Sequence, residues 1–381
     1  MTTFAPDLKN ANLDYRALAN RLEEATSFST TRRAPTIAVI GDYSLDKYVY
    51  RAPELDELSV ETGLVARQIR AVKCYAGIGG TIASNLRALG ATTRCFGVIG
   101  EDGEGDDLLR ALERIGSDAS GIVRDPAILT TTYMKPMAPD GNGGWREENR
   151  LDIRNPEPTP AALVDELKRR FLAQLDECDA VVVSDQFQRG SEALFSDDFR
   201  QFVSETAASR PKLLALCDSR FFADVYRNAI VKCNANELLD ARDAELGVRQ
   251  TQTALENDAE TLLEELADAA ARFARRNRRP VLVTRGANGS LLLEPGVNAE
   301  TADRATIIPP NPVKPPIDIC GAGDATNAGF AFAGALGFSL VEAAYLAGVV
   351  SSITIKQLGV TGVASVQGVL EILRAKERSV R

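Results

Sequence analysis

The chain has 381 residues, 45% of them hydrophobic and 25% charged, with a formal net charge of −9 and no histidine. This length can bury one large core or two ordinary ones; the acidic balance argues against general binding to nucleic acid or to an anionic membrane surface, and no apolar run reaches the roughly eighteen residues of a membrane span. Without histidine, Ser-His-Asp and Cys-His catalysis, histidine-ligated metals and histidine proton shuttles are excluded, so acid–base work falls to carboxylates, Lys, Tyr or Cys.

Residues 1–35 read as an N-terminal extension. An amphipathic helix is predicted over 13–24, with Leu13, Leu18 and Leu22 on one side, and a polar linker follows up to Pro35. It is expected to pack onto the main body or a second subunit. From Thr36 the pattern becomes strand, turn, helix, repeated. Short apolar runs at 37–40, 94–99, 180–184, 213–217, 230–233 and 281–284 read as buried parallel strands. Helical patterns lie between most of them, at 80–89, 105–115, 161–175, 197–208, 235–246 and 261–277, and after Asp324 at 325–336, 339–358 and 366–377. Such alternation predicts a doubly wound α/β sheet covered on both faces, a single domain over 36–381.

Two stretches interrupt the alternation, at about 47–75 and 128–155, each with extended, period-two character. They are expected to meet as a small separate β-sheet. A sheet of that size does not fold alone, so it should act as a lid, shared between the subunits of a homodimer. The basic run 272–279 follows an acidic amphipathic helix and suits a solvated helix end better than a binding patch. Six cysteines without CxxC pairs, and an N-terminus without a signal-peptide pattern, point to a reduced, cytoplasmic protein with no zinc spacing.

The chemistry concentrates in Asp318-Ile319-Cys320-Gly321-Ala322-Gly323-Asp324, which runs directly into a helical pattern. A Gly-Ala-Gly turn at a helix N-terminus offers unpaired N–H groups at the positive end of the dipole, which makes a seat for an anion. Asp324 would repel that anion, so its place there makes sense as a base beside it. Seat and base together are the minimum equipment of a kinase. The plainer alternative is that Asp324 caps the helix, since Asp is a favoured N-cap residue.

Neither a P-loop nor a three-glycine dinucleotide fingerprint is present. Four other segments carry a resemblance instead: Val39-Ile40-Gly41-Asp42-Tyr43-Ser44-Leu45-Asp46, the run from Tyr75 to Leu86 containing Gly77-Ile78-Gly79-Gly80-Thr81, Asn234-Ala235-Asn236-Glu237 with Thr284-Arg285-Gly286-Ala287-Asn288-Gly289, and Asp318 to Asp324. In this order they resemble the ribokinase-like (PfkB) carbohydrate kinases over roughly residues 36–365. Within that family the Gly-Asp-x-x-Leu-Asp-x-Tyr opening and Arg150-Leu151-Asp152 are most similar to the heptose 7-phosphate kinases.

The resemblance implies a three-layer α/β/α ribokinase-like fold, mostly parallel, with a small β-sheet lid. It implies ATP and Mg²⁺ as cofactors and transfer of the γ-phosphoryl group to a hydroxyl of a small-molecule sugar or sugar phosphate, with a heptose 7-phosphate-like compound as one case. Asp324 would be the base, and the N–H groups of Gly321, Ala322 and Gly323 would carry phosphoryl charge. Asp46, Gly77, Gly79, Gly80 and Thr81 would hold the sugar, with Lys135 and Arg150 clamping a phosphate already on it. Asn234, Glu237, Thr284, Gly286 and Gly289 would line the nucleotide site, with Glu237 reaching Mg²⁺ through water. Three positions depart from the family: Cys320 replaces a hydroxyl residue, and Thr81 and Gly348 stand where asparagines are usual. Two alternatives stay open: a kinase of an unphosphorylated sugar or nucleoside, and a non-catalytic sugar or nucleotide sensor. Asp185, after the strand at 180–184, is a further candidate at the ligand edge.

Overall fold

The unbroken apolar runs of the sequence become the middle of one large sheet. A computed structural model of the chain describes residues 6–29, 32–187, 194–245, 259–296 and 301–380. Among the described residues the sheet has ten strands, in the order Asp7–Asn10, Arg304–Ile308, Ser290–Glu294, Val281–Thr284, Ile230–Asn234, Leu214–Ser219, Ala180–Asp185, Thr36–Gly41, Thr92–Gly100, Asp118–Asp125. Only Ser290–Glu294 runs antiparallel to its neighbours.

Successive side chains of a strand point to opposite faces, and the two cores divide accordingly. Ile37 and Val39 join a cluster with the helices Gly79–Ala88, Gly103–Arg114, Ala322–Ala335, Leu340–Thr354 and Val366–Val380. Ala38 and Ile40 join the opposite cluster, under Ala161–Leu175, Asp197–Ser209, Ala235–Glu245 and Ala259–Asn277. The result is the three-layer α/β/α arrangement.

Strand Thr36–Gly41 is separated by Asp42 alone from Tyr43–Arg51, the centre of a second sheet. There it pairs antiparallel with Ile69–Ile78 and parallel with Thr132–Pro139, whose far edge carries Trp145–Glu147 and Leu151–Ile153. Gly41 sits at the branch point with φ +151°, and a Cβ there would lie 2.1 Å from the Ser184 carbonyl oxygen. Only glycine lets the two central strands approach so closely where the chain leaves for the lid.

Some expectations are corrected. The extended run 65–72 does not stay whole: Val65–Ala66 pairs with Glu57–Leu58 as a separate hairpin, and the lid strand starts at Ile69. The division falls where Asp56 accepts the Gln68 N–H (2.8 Å) and is itself bound by Arg51 (2.8 Å). Strands Asp7–Asn10, Asp118–Asp125, Ser290–Glu294 and Arg304–Ile308 had not been anticipated. They lie at or near the sheet edges, and in each the apolar run is only a few residues long.

The N-terminal residues are tied to the body. Asp7–Asn10 adds to the sheet beside Arg304–Ile308, and helix Tyr15–Ala25 buries Leu18, Ala19, Leu22 and Ala25. Arg16 bonds Glu377 (2.8 Å), Arg21 bonds Glu342 (2.9 Å), and Tyr15 packs on Tyr345.

Gly41→Ala is expected to destabilise the protein by about 3 kcal/mol or more, since the added methyl meets backbone rather than a side chain able to move aside. Urea unfolding measures it; a change below about 1 kcal/mol would show that the strands separate freely.

Candidate active site

The parallel strands end on one edge, and their last residues are polar. Register pairs Ser184 with Gly41, Asp218 with Lys232, and Asn234 with Thr284. In open α/β sheets this carboxyl edge is where ligands bind. Three elements converge on it: the turn before helix Ala322–Ala335, the lid, and the loops after Ile230–Asn234 and Val281–Thr284.

Gly321 adopts φ +75° and occupies the N-cap of Ala322–Ala335. A Cβ there would lie 2.8 Å from Thr361 Cγ2 and 3.2 Å from Thr81 Cγ2, so glycine is required by both conformation and space. The helix begins earlier than the expected 325, which places Asp324 inside its first turn and rules out the N-cap alternative. Asp324 has no hydrogen-bond or ion-pair partner in the protein among the described residues. Of the three expected donors, Ala322 is already engaged, its N–H donating to the Ile319 carbonyl (3.1 Å). The N–H groups of Gly321 and Gly323 have no backbone acceptor among the described residues.

Behind the turn lies a cluster that sequence reading missed. Lys232 Nζ donates to Asp218 Oδ2 (2.9 Å), and Asn327 Nδ2 donates to the same oxygen (2.6 Å); all three residues are buried. The Lys232 ammonium is only 3.1 Å from where a Cβ on Gly323 would be, so it stands against the anion seat. A lone cation in the apolar run Ile230-Val231-Lys232-Cys233 was the available signal, because buried charges are paired or functional.

The electrostatics follow from crowding. Burial first, then the neighbouring Asp218, push the Asp324 carboxyl up from 3.8 to about 7, with Lys232 opposing the rise. Glu237 is raised by the same two causes in the same order. Burial works against the Lys232 charge, but Asp218, Glu237 and Asp324 together outweigh it and hold its pKa up. Asn234 and Glu237 close a reciprocal cap: the Asn234 N–H donates to Glu237 Oε2 (2.7 Å) and the Glu237 N–H to Asn234 Oδ1 (2.9 Å). One Glu237 oxygen remains outside that cap. Thr284 and the turn Gly286–Asn288 lie beside it, and Gly289 packs on Ile308.

On the lid, Asp46 is buried and bound by Lys135 (3.0 Å), whose ammonium also donates to the Tyr48 hydroxyl (3.2 Å). Gly77 is close enough that a Cβ would lie 2.9 Å from Asp46 Oδ2. Asp46 acts electrostatically on both Asp324 and Cys320, so the lid carboxylate sits over the seat. Gly79 and Gly80 do other work: a Cβ would strike the Tyr43 ring (2.8 Å) or the Ala76 Cβ (2.3 Å), so they let the helix pack against the lid strand. Arg150 stacks 4.5 Å over the Tyr133 ring and is bound to Asp152 (2.6 Å). Asp185 is fully used inside the protein, by Arg200 (2.9 Å), the Ser219 hydroxyl (2.8 Å) and the Tyr226 hydroxyl (3.0 Å).

A glycine-cradled seat, a free carboxylate in its first turn and a buried ammonium together suit transfer of a phosphoryl group. The pattern of the pfkB family carbohydrate kinases matches residues 35–366. The chain belongs to that family. This carbohydrate kinase is 27% identical over 324 residues to "Bifunctional protein HldE" of Caulobacter vibrioides, covering 85% of this chain and 60% of that protein. To the HldE of Helicobacter hepaticus it is 24% identical over 355 residues, 93% of this chain and 67% of the other. It thus spans about three fifths of the length of several curated relatives it matches. Phosphofructokinase-2 of Escherichia coli shares the fold with a TM-score of 0.63 at 17% identity, covering 90% of this chain and 99% of that one. Arabidopsis thaliana ribokinase, solved with ribose and ATP, gives 0.60 at 20% identity and the same coverage. Among the described residues no helix is long and apolar enough to cross a membrane.

A base at Asp324 would have to be ionised to act, so with that role kcat/KM is expected to rise with pH and level off above about 7, while Asp324→Asn loses this limb. The raised folded pKa has a second consequence. The native state holds this proton longer than the unfolded chain, so its contribution to stability is present below about 4 and is lost as pH rises through about 7. Asp324→Asn should therefore gain stability over the parent at pH 8 and little at pH 5; equal shifts at both would remove the assignment.

Proposed function

We propose that this kinase transfers the γ-phosphoryl group of ATP to a hydroxyl of a sugar or sugar phosphate, with Asp324 as the base. The observation that carries the reading is the unpartnered Asp324 carboxylate beside the Gly321–Gly323 turn and the Lys232 ammonium. Asp324 takes the proton of the attacking hydroxyl. The N–H groups of Gly321 and Gly323, with Lys232 behind them, carry the growing charge of the phosphoryl oxygens; Ala322 keeps the turn in shape. Asp46 accepts from sugar hydroxyls, and Lys135, held on Asp46, donates to a neighbouring one. Closure of the lid over the seat excludes water.

Asp218, Glu237 and Asp324 still outnumber Lys232 and the more distant Arg220, and a dication relieves that imbalance. Among the described residues no three acidic, Cys or His side chains group closely enough to hold a metal alone. Mg²⁺ would therefore come with the ATP phosphates, touching Glu237 through water and neutralising phosphate charge. Asn234, Thr284, Gly286 and Gly289 would line the nucleotide end. The resemblance of the Gly41–Tyr48 opening and of Arg150-Leu151-Asp152 to the heptose 7-phosphate kinases supports a heptose 7-phosphate-like acceptor over a free sugar. The free thiols of all six cysteines suit a reduced, cytoplasmic setting.

ADP release across a panel of sugars and sugar phosphates tests this. Turnover is expected with a phosphorylated sugar, falling about 10²–10⁴-fold in Asp324→Asn. Preference for free ribose, fructose or a nucleoside would move the assignment to an unphosphorylated acceptor. Binding without turnover across the panel would make the protein a sensor.

The lid carries an apolar surface without cover: Val60 is 98% exposed and Leu58 67%, with Leu64 and Val65 alongside. We assign it to contact between two copies. Light scattering is expected to give a dimer that Leu58→Ser/Val60→Ser converts to monomer; a monomeric parent would reject the contact.

A further inference from the structure

A cavity of about 720 Å³ lies between strand Ile69–Ile78, helices Gly79–Ala88 and Gly103–Arg114, and the loop 360–363. Its lining includes no residue of the 321–324 turn and neither Asp46 nor Lys135, so it is separate from the catalytic edge. No acidic side chain lines it, in a chain with 53 acidic and 44 basic residues, whereas Lys73, Arg87 and Arg114 do. Lys73 is turned onto the Tyr50 ring (5.0 Å). The two arginines are held by carbonyls. Arg87 is half-buried, its Nε donating to Ile115 (3.1 Å) and its Nη1 to Ala91 (2.7 Å); Arg114 Nη2 donates to Cys74 (2.7 Å). Among the described residues neither has a carboxylate within ion-pair distance, and Arg87 Nη2 and Arg114 Nη1 have no acceptor.

Guanidiniums fixed in this way are prepared for the bidentate bonds that phosphate and carboxylate groups accept. The rest of the wall is hydroxyl, from Ser84 and Thr361, and aliphatic, from Ala88, Ala111, Val360 and Val363. A bare inorganic ion would use the guanidiniums alone; a small organic dianion with a short carbon body uses the whole wall. The wall also reaches the anion seat from behind. Thr361 and Thr81 line the cavity, and their Cγ2 atoms are the ones that crowd Gly321. The loop carrying Thr361 is pinned to helix Gly79–Ala88, because Asn85 donates to the Gly362 carbonyl (3.3 Å) and accepts the Ala364 N–H (3.3 Å). Its start is tied to the entry of the seat, where Asp318 accepts the Gly359 N–H (3.4 Å) and donates its own N–H to the Ile355 carbonyl (2.8 Å). One short loop thus borders both the cavity and the left-handed Gly321 turn.

We propose that this cavity is a second anion site, which binds a small organic dianion on Arg87 and Arg114 as an effector and acts on the seat through Thr361. The ligand is neither the phosphoryl donor nor the acceptor and is not consumed. By filling the space behind Thr361 it holds that side chain against Gly321, so it stabilises the turn and activates. The binding site stands independently of the kinase reading; only the effect on rate rests on it.

Calorimetry on the full chain tests the site with two probes at constant ionic strength: phenyl phosphate, which has no hydroxyl to accept a phosphoryl group, and succinate. Saturable binding of either is expected, and the one that binds tells whether the site reads phosphate or carboxylate. Arg114→Gln should weaken it about tenfold or more, corresponding to one lost charge-assisted bond. Because Arg87 also holds two carbonyls, the second variant is Ala88→Glu, which adds a carboxylate to the cavity and removes no bond; it should act in the same direction. Binding of neither probe, or binding unchanged in both folded variants, would overturn the proposal. So would displacement of the probe by ATP, which marks binding in the seat itself. With an acceptor that is turned over, the bound probe should raise kcat/KM about fivefold or more in the parent. The rise should vanish in Arg114→Gln, whose rate without the probe is unchanged. Thr361→Ser, which removes the methyl that meets Gly321, should still bind the probe and lose the rise. Binding with no change in rate would overturn the effector role. If nothing is turned over, the kinase reading fails, and calorimetry alone decides the site.

Discussion

Lys232 is the charge around which the site is built. Its ammonium is buried, which by itself disfavours ionisation, and it stays charged because Asp218 lies 2.9 Å away with Glu237 and Asp324 in electrostatic range. Pairs of this kind contribute little net stability, since desolvation takes back most of the attraction, but losing one partner leaves an uncompensated buried charge. The arithmetic of the cluster explains the chemistry. Asp218 is satisfied by Lys232 and Asn327, so Asp324 is the carboxylate left over, and burial, then the neighbouring Asp218, lift it to about 7. A carboxylate so raised is a stronger base than an ordinary one while still ionised over much of the physiological range.

The lid repeats this logic at smaller scale. Asp46 and Lys135 are buried against each other, and the strand that carries Asp46 continues from the central sheet through Asp42. Asp42 Oδ2 accepts the N–H groups of Gln186 and Phe187 (2.7 and 2.9 Å), and burial with the nearby Asp185 lifts its carboxyl to about 8. The junction between lid and sheet is therefore held by hydrogen bonds as well as by the close packing at Gly41. Anchored this way, the base of the lid stays joined to the sheet next to Asp46, while its outer hairpin is apolar and exposed.

Legibility in the sequence tracked how local each cause was. The central strands and helix Ala161–Leu175 read correctly because unbroken apolar runs and 3.6-residue periodicity are properties of a few adjacent residues. The Gly321 turn was equally plain. The edge strand Asp7–Asn10 was not, since its pairing depends on a neighbour nearly three hundred positions away. Lys232 and Asp218 escaped for the same reason: each looks like a stray charge in a strand until the parallel register sets them side by side.

By itself the sequence determined the α/β class, the order of its layers, and the Gly-Ala-Gly turn with Asp324 at the start of a helix, because periodicity, glycine spacing and short motifs act over a turn or two of chain. Only the tertiary structure decided which charges neutralise which. It joined Lys135 to Asp46 across the lid and Arg150 to Asp152, and left Arg87 and Arg114 without carboxylates in one cavity. Coulomb interactions depend on distance in space and on burial, and both are set by packing between segments far apart in the chain.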